Sequence, residues 1–356
     1  MTMTIPVAEG GGSGPAGQGS GPSAAEELAR RRRTPAQRIQ HVLHRYPAIS
    51  PLLILVVCSV VFTQMNPRFS SAATVSLLMQ QTAVVAALAV GQTLIILTAG
   101  IDLSVGAIAI LSMMVMAKVA SENGAPAPVA ILAGVGVGVA AGAANGFLVT
   151  RLKLPPFIVT LGTLSVFTAM ALLYTEGRSI QRMAMPDLLS WTGEIHMIGE
   201  FRITTGVILV VLLYLVAGYA LSQTAWGSHV YAVGDDPEAA RLAGIRVNRV
   251  LFSVYVVAGL IYAIAAWVLI GRAGAASPNA IGNANLESIT AVVIGGTSLF
   301  GGRGALLGTL LGALIVQSFT IGLSLAGVDD QYRLLAVGAL VIIAVSVDQW
   351  IRKVRA

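Results

Sequence analysis

Charge is scarce in this chain. Only 11% of its 356 residues are Asp, Glu, Lys or Arg, less than half of the roughly 25% usual in a soluble domain. With a mean hydropathy of +0.81, the class this composition fits is a polytopic membrane protein. Lysine is rarer still: Lys118, Lys153 and Lys353 are the whole supply, and they follow Ala, Leu and Arg. A phosphate-binding loop needs Gly-Lys-Ser/Thr, so the chain carries no such nucleotide site. If ATP drives its work, another polypeptide must hydrolyse it. The single cysteine, Cys58, lies inside an apolar run; an intrachain disulfide is excluded, and a buried, inert thiol is expected. The four histidines, His41, His44, His196 and His229, all fall outside the apolar runs. No His/Glu pair stands at metal-ligand spacing within a run, which argues against an intramembrane metalloenzyme.

The net charge is +6, but the position of the charges argues against nucleic acid as a partner. Arg30 to Arg33, Arg38 and Arg45 precede the first apolar run, and Arg352, Lys353 and Arg355 follow the last. That is the bias of cytoplasmic flanks. Residues 1–46 form a polar segment, first Gly/Ser/Pro-rich and expected to be disordered, then basic and suited to anionic lipid. No apolar core follows an early charge, so it does not read as a signal peptide.

From residue 47 onward ten apolar segments follow, near Pro47–Met65, Ala72–Leu97, Val105–Ala120, Val129–Val149, Phe157–Tyr174, Ile203–Leu221, Val250–Ile270, Leu286–Leu299, Ala305–Leu325 and Leu334–Trp350. A span needs about 20 residues, so the third and eighth are short. The expectation is an all-α membrane domain of about ten helices over 47–356. With both termini in the cytoplasm, fifteen basic residues fall inside and seven outside, as the positive-inside rule requires.

The organising stretch is Gly91 to Gly106. An apolar run ends in Thr98-Ala99-Gly100, Asp102 and Ser104 follow, and a second run starts at once. A carboxylate this close to hydrocarbon needs support. Two readings stand: a helix break lining a permeation path, or a tight turn whose Asp caps the next helix. Other polar groups within the runs are candidates for the path: Gln80, Gln81 and Gln92, Asn145, Thr160 and Thr163. Gln317, Asp329 and Asp330 are weaker ones. Amides and hydroxyls suit a hydroxyl-rich solute because neutral donors and acceptors bind and release it readily. The competing role for each is an interhelical hydrogen bond.

Between the sixth and seventh segments, Val233 to Ile245 reads as a short helix with both ends marked. Asp235 or Asp236 can cap it, Pro237 suits the first turn, Glu238 suits the positive dipole end, and Gly244 suits the left-handed C′ position. So short a helix is marginal in water, and its stability must come from docking onto something. On the other side, the loop Glu176–Arg202 is long and mixed. Pro186–Trp191 could form a short amphipathic helix there.

Three blocks carry a resemblance. Glu238-Ala239-Ala240 with Gly244 looks like the EAA-type coupling loop of ABC importer permeases. Gly100-Ile-Asp102-Leu-Ser104-Val-Gly106, and Val293-Ile-Gly-Gly-Thr-Ser-Leu-Phe-Gly-Gly-Arg-Gly304, resemble the ribose-type branch of the sugar permeases. The blocks fall in that family's order, from about Pro47 to the end. The resemblance implies a type II ABC importer permease, working as a homodimer or heterodimer with cytoplasmic ATPase subunits and an external sugar-binding protein. ATP and Mg would sit on the partner ATPase, and no cofactor on this chain. Asp235, Asp236, Pro237, Glu238, Ala239, Ala240, Arg241 and Gly244 would dock on the ATPase. Arg178, Arg182 and Trp191 in the outer loop would meet the binding protein. A pentose, hexose, polyol, autoinducer, nucleoside or branched-chain amino acid all remain open as cargo. An ion-coupled secondary transporter is the rival class; it should show acids well inside spans, whereas Asp102, Glu287 and Asp348 all fall near segment ends.

Overall fold

The computed structural model describes residues 49–280 and 283–353, and they belong to one compact unit. The expectations for 1–46 lie outside the described residues. Helices α1 (Ile49–Met65), α2 (Ala72–Leu97), α3 (Val105–Ser121), α4 (Ala127–Thr150) and α5 (Pro156–Thr175) come first. A short α6 (Asp187–Ser190) precedes α7 (Thr205–Gln223), α8 (Ala225–Asp235), α9 (Pro237–Leu242) and α10 (Val247–Ala273). The last three are α11 (Ala284–Ile294), α12 (Leu306–Leu325) and α13 (Asp330–Lys353). Among the described residues six helices, α2, α4, α5, α7, α10 and α12, are long and apolar enough to cross a membrane. Each of the ten expected apolar segments holds a helix among its described residues.

The long helices are apolar on every side, which is how a sequence reads when one face meets protein and the other meets lipid. Leu173 and Leu215 on α5 and α7 stay exposed, whereas Leu88, Leu94 and Ile95 of α2 and Tyr262 and Ala266 of α10 are fully buried. Thus α2 and α10 form the centre of the bundle. The most extensive packing is α4 against α10, where a Cβ at Gly142 would strike the Tyr255 carbonyl and Gly259. Small residues let the two backbones approach where lipid gives no hydrophobic push.

The eighth segment departs most from its expected bounds. Its helix, α11, has 11 residues and is only about 16 Å long. It runs antiparallel to α12, with Gly295 against Gly308, Ala291 against Gly312, and Glu287 bonded to Gln317. Gln317 lies midway along α12, so Glu287, in the first turn of α11, stands level with the middle of a helix long enough to cross the roughly 30 Å hydrocarbon layer. Residues 295–305 then lead to α12.

The two ends of the bundle differ. One carries α8, α9, the α2–α3 break and the 295–305 loop. The other carries α6 and four short strands: β1 (Ile180–Gln181) pairs antiparallel with β4 (Ala275–Ala276), and β2 (Ile195–Ile198) with β3 (Phe201–Thr204). The sequence reading placed no strands here. The β2–β3 hairpin turns at Gly199-Glu200, where Gly199 takes φ +61°. An alternating Ile-His-Met-Ile on one side and Phe-Arg-Ile-Thr on the other is the pattern that makes it a hairpin.

Candidate functional site

Four features at different depths make up the site. The first is the α2–α3 break. Asp102 is almost wholly buried. Its Oδ1 accepts hydrogen bonds from the Ser104 backbone N–H at 2.7 Å and the Ser104 hydroxyl at 2.6 Å. Its Oδ2 accepts one from Tyr262 on α10 at 3.3 Å. Asn145 of α4 donates to Ser104 Oγ at 2.9 Å, and Thr160 of α5 donates to the Ile101 carbonyl at 3.0 Å. So the break is tied to α4, α5 and α10. Asp102 folds a local turn onto Ser104, the residue that opens α3, and does not line the cavity described below. Thr163 donates within α5, to the Thr160 carbonyl. Gln92 is fully buried, and neither of its amide atoms has a hydrogen-bond partner among the described residues.

The second feature lies just beyond the break. Gly302 N–H donates to the Leu97 carbonyl at 2.9 Å. Gly234, near the end of α8, sits where any Cβ would overlap that same carbonyl oxygen and the Gly302 nitrogen. Tyr231 of α8 donates to the Gly304 carbonyl at 3.0 Å; burial pushes its hydroxyl pKa above the ordinary phenol value, so it stays a donor. The chain then turns into α9. Asp236 caps it, its Oδ1 accepting from Glu238 N–H at 2.9 Å and Ala239 N–H at 3.0 Å. Pro237 occupies the first turn, Glu238 pairs with Arg241, and Gly244 takes φ +87° after the helix. Asp235 ends α8. Ala240 is buried, while Asp236, Pro237, Glu238, Ala239 and Arg241 are exposed. Thus α9 presents one face outward and is joined through Asp235 and Asp236 to the Leu97–Gly234–Gly302 contact.

The third feature is a cavity of about 240 Å³ between α2, α10, α11 and α12. Its polar lining is Gln81, Arg272, Asn283, Glu287, Gln317 and Thr320, and Val84, Val85 and Leu88 of α2 form an apolar wall. Gln317 Nε2 donates to Glu287 Oε2 at 3.2 Å. A second hollow shares Asn283, Glu287 and Thr320 and continues to Asp330 and Arg333. Of the expected path residues, Gln81 and the weaker candidate Gln317 line the cavity, and Asp330 lines the hollow that continues from it. Gln80 instead donates to the Arg202 carbonyl at 3.3 Å, holding the hairpin. Sequence reasoning placed Glu287 near a segment end and counted Arg272 as a loop charge. No local signal brings together residues 81, 272, 287 and 317; only the half-length α11 does.

The fourth feature is the hairpin end. Arg178 pairs with Glu176 at 2.9 Å. Arg182 N–H donates to the Gly274 carbonyl at 3.0 Å, next to the β1–β4 pair. Trp191 packs against Trp267 with the rings tilted by 33° and their centres 5.9 Å apart, and remains partly exposed. Among the described residues no three His, Cys, Asp or Glu side chains cluster as metal ligands.

Comparisons with known proteins agree on a class. Residues 74–345 match the family described as the permease component of branched-chain amino acid transport systems. The chain is similar to the fructose import permease protein FrcC of Rhizobium meliloti, 50% identical over 91% of each chain. It is 38% identical to the ribose import permease protein RbsC of Bacillus subtilis, over 85% of this chain and 92% of that protein. It is 33% identical to the D-allose transport system permease protein AlsC of Escherichia coli, over 84% of this chain and 91% of that one. No solved structure matches.

Proposed function

The chain belongs to the permease-component family of branched-chain amino acid transport systems, and on that premise we propose that it is the membrane subunit through which an ATP-driven bacterial importer moves a monosaccharide across the cytoplasmic membrane. The observation that carries the cargo class is 50% identity, over 91% of both chains, to a fructose import permease. The ribose and allose permeases among the relatives support the class and leave the individual sugar open.

Partners follow from division of labour. This chain has no phosphate loop, so a cytoplasmic ATPase supplies the energy, with ATP and Mg on that subunit. The α8–α9 end is the cytoplasmic side. There α9 offers the ATPase its exposed face, Asp236 to Arg241, bounded by Gly244. Motion of α9 reaches the bundle through Gly234, which packs so closely on Leu97 and Gly302 that an added Cβ would overlap both. Leu97 leads into the Asp102 break, and Gly302 belongs to the loop that follows α11. One displaced helix therefore pulls on both interruptions of the bundle. On the opposite side an external binding protein delivers sugar to the hairpin end near Arg178, Arg182 and Trp191. A second permease copy completes the path.

A second reading is favoured by one observation: Glu287 lines a cavity at mid-depth, where an ion-coupled carrier would hold an acid. Vanadate and an ionophore separate the two. ATP-driven import is expected to stop with vanadate and persist with an ionophore that leaves ATP intact; the reverse overturns the ATP-driven reading. Glu238→Arg is expected to insert normally, keep binding-protein capture and lose ATP-dependent uptake. Normal uptake by that variant would remove α9 from the coupling route.

A further inference from the structure

We propose that the cavity between α2, α10, α11 and α12 is a subsite for a neutral monosaccharide, in which Arg272 and Glu287 grip adjacent hydroxyls from opposite sides. This rests on the sugar-import reading above and assigns residues to it.

The cavity volume of about 240 Å³ lies just below the roughly 300–1,000 Å³ of small-molecule pockets, which suits a small solute. Its walls are of two kinds. Val84, Val85 and Leu88 present hydrocarbon from α2. Opposite stand amide, hydroxyl and charged groups from α10, α11 and α12. A sugar ring has the same division, a C–H face and a rim of hydroxyls.

The charges are arranged for a ligand between them. Arg272 and Glu287 both line the cavity, yet no N···O approach within 4.0 Å joins them, unlike the four ion pairs that form among the described residues. The Arg272 side chain makes no hydrogen bond among the described residues, so its guanidinium has its donors open. Glu287, which lines the cavity, has one oxygen taken by Gln317, and its other oxygen accepts no hydrogen bond among the described residues. A guanidinium donates and a carboxylate accepts, and two neighbouring hydroxyls need one of each when one hydroxyl donates and the other accepts. The pair sums to zero charge, so the cavity offers an anion no net attraction. Gln317 is nearly fully buried and fixes the Glu287 carboxylate, which makes it a positioning residue.

The site is also placed for passage. Glu287 sits at the first turn of a helix that begins at mid-membrane depth, and irregular backbone at that depth persists where it lines a cavity. The hollow continues past Thr320 towards Asp330 and Arg333, on the hairpin side. Sugar released there meets Glu287 first. The loop after α11 meets Gly234, so the helix that carries Glu287 is joined to the α8–α9 end.

The test uses the full chain with Cys58→Ala and Thr320→Cys, assembled with its partners in membranes. Thr320 lines the cavity and is partly accessible. Reaction of the new thiol with a maleimide is expected to slow about threefold or more in D-fructose or D-ribose at a concentration near 100 mM, and to be unaffected by sulfate. A thiol at Leu212, on the lipid-facing side, should show no sugar effect. Slowing by L-leucine instead of the sugars, or by sulfate, would overturn the assignment, as would no slowing by any of them. Uptake gives the second readout. Glu287→Gln and Arg272→Gln are expected to lower the maximal rate about tenfold or more, with half-saturation left where the binding protein sets it. If the unmutated importer moves sugar and both variants match it, the subsite is wrong and the sugar-import reading stands. If the unmutated importer moves no sugar, the sugar-import reading itself has failed.

Discussion

Asp102 holds three donors with two oxygens: the Ser104 N–H, the Ser104 hydroxyl and the Tyr262 hydroxyl. Leaving a buried donor unpaired costs about 1–3 kcal/mol. Asp102→Ala is therefore expected to lower the melting temperature of the detergent-purified protein markedly. Asp102→Asn keeps an acceptor for Ser104 and should melt closer to the original. If Asp102→Ala melts unchanged, the network holds nothing. The sequence made Asp102 conspicuous, because an acid between two apolar runs requires support. Its decisive partner was not legible, since Tyr262 lies 160 positions away and looks like any aromatic in an apolar helix. The same holds for Arg272 and Glu287, whose meaning depends on a cavity that four helices enclose.

At the scale of elements, α9 was the most legible part of the chain. Its cap, its proline, its acid-to-base pair and its terminal glycine are local chemistry, and each acts within four residues of its neighbour. Loss of such a cap costs about 1 kcal/mol. If the ATPase binds α9 as a formed helix, Asp236→Ala should weaken that association about fivefold, since 1.4 kcal/mol is tenfold. Titration of the purified ATPase against the permease in nanodiscs measures this; undiminished affinity would mean that α9 is not the contact. Gly234→Val addresses the joint behind it. A side chain there collides with the Leu97 carbonyl, so the variant is expected to lose folded yield, or to fold and lose uptake while still binding the ATPase. Full yield together with full uptake would show that the contact transmits nothing. The strands of the hairpin end were less legible. They are two to four residues long, and their pairing partners β1 and β4 are separated by the whole of α7 to α10.

For the whole molecule, ten apolar segments were enough to foresee the bundle, and the charge asymmetry assigns its sides. They could not reveal which helices stand at the centre, because lipid-facing and protein-facing surfaces are equally apolar. Orientation has a direct check. Met183, at the hairpin end, and Leu242, in α9, are both strongly exposed. In a Cys58→Ala background, Met183→Cys is expected to react with a membrane-impermeant maleimide on intact cells. Leu242→Cys should react only after the membrane is opened. The opposite pattern would invert the assignment of sides and, with it, the roles given to α9 and the hairpin.

The half-length of α11 also bears on how the protein is made. A segment of 11 residues is too short to partition into a bilayer as a span of its own, for which about 20 are needed. It carries Glu287 in its first turn, which hinders it further. The insertion machinery must therefore hold it until α12 has emerged and then release the two as a hairpin, zipped by Gly295 on Gly308 and Ala291 on Gly312. A nascent chain stalled with Ser298 just outside the ribosome should still expose α11 to water, and one stalled beyond Leu325 should not.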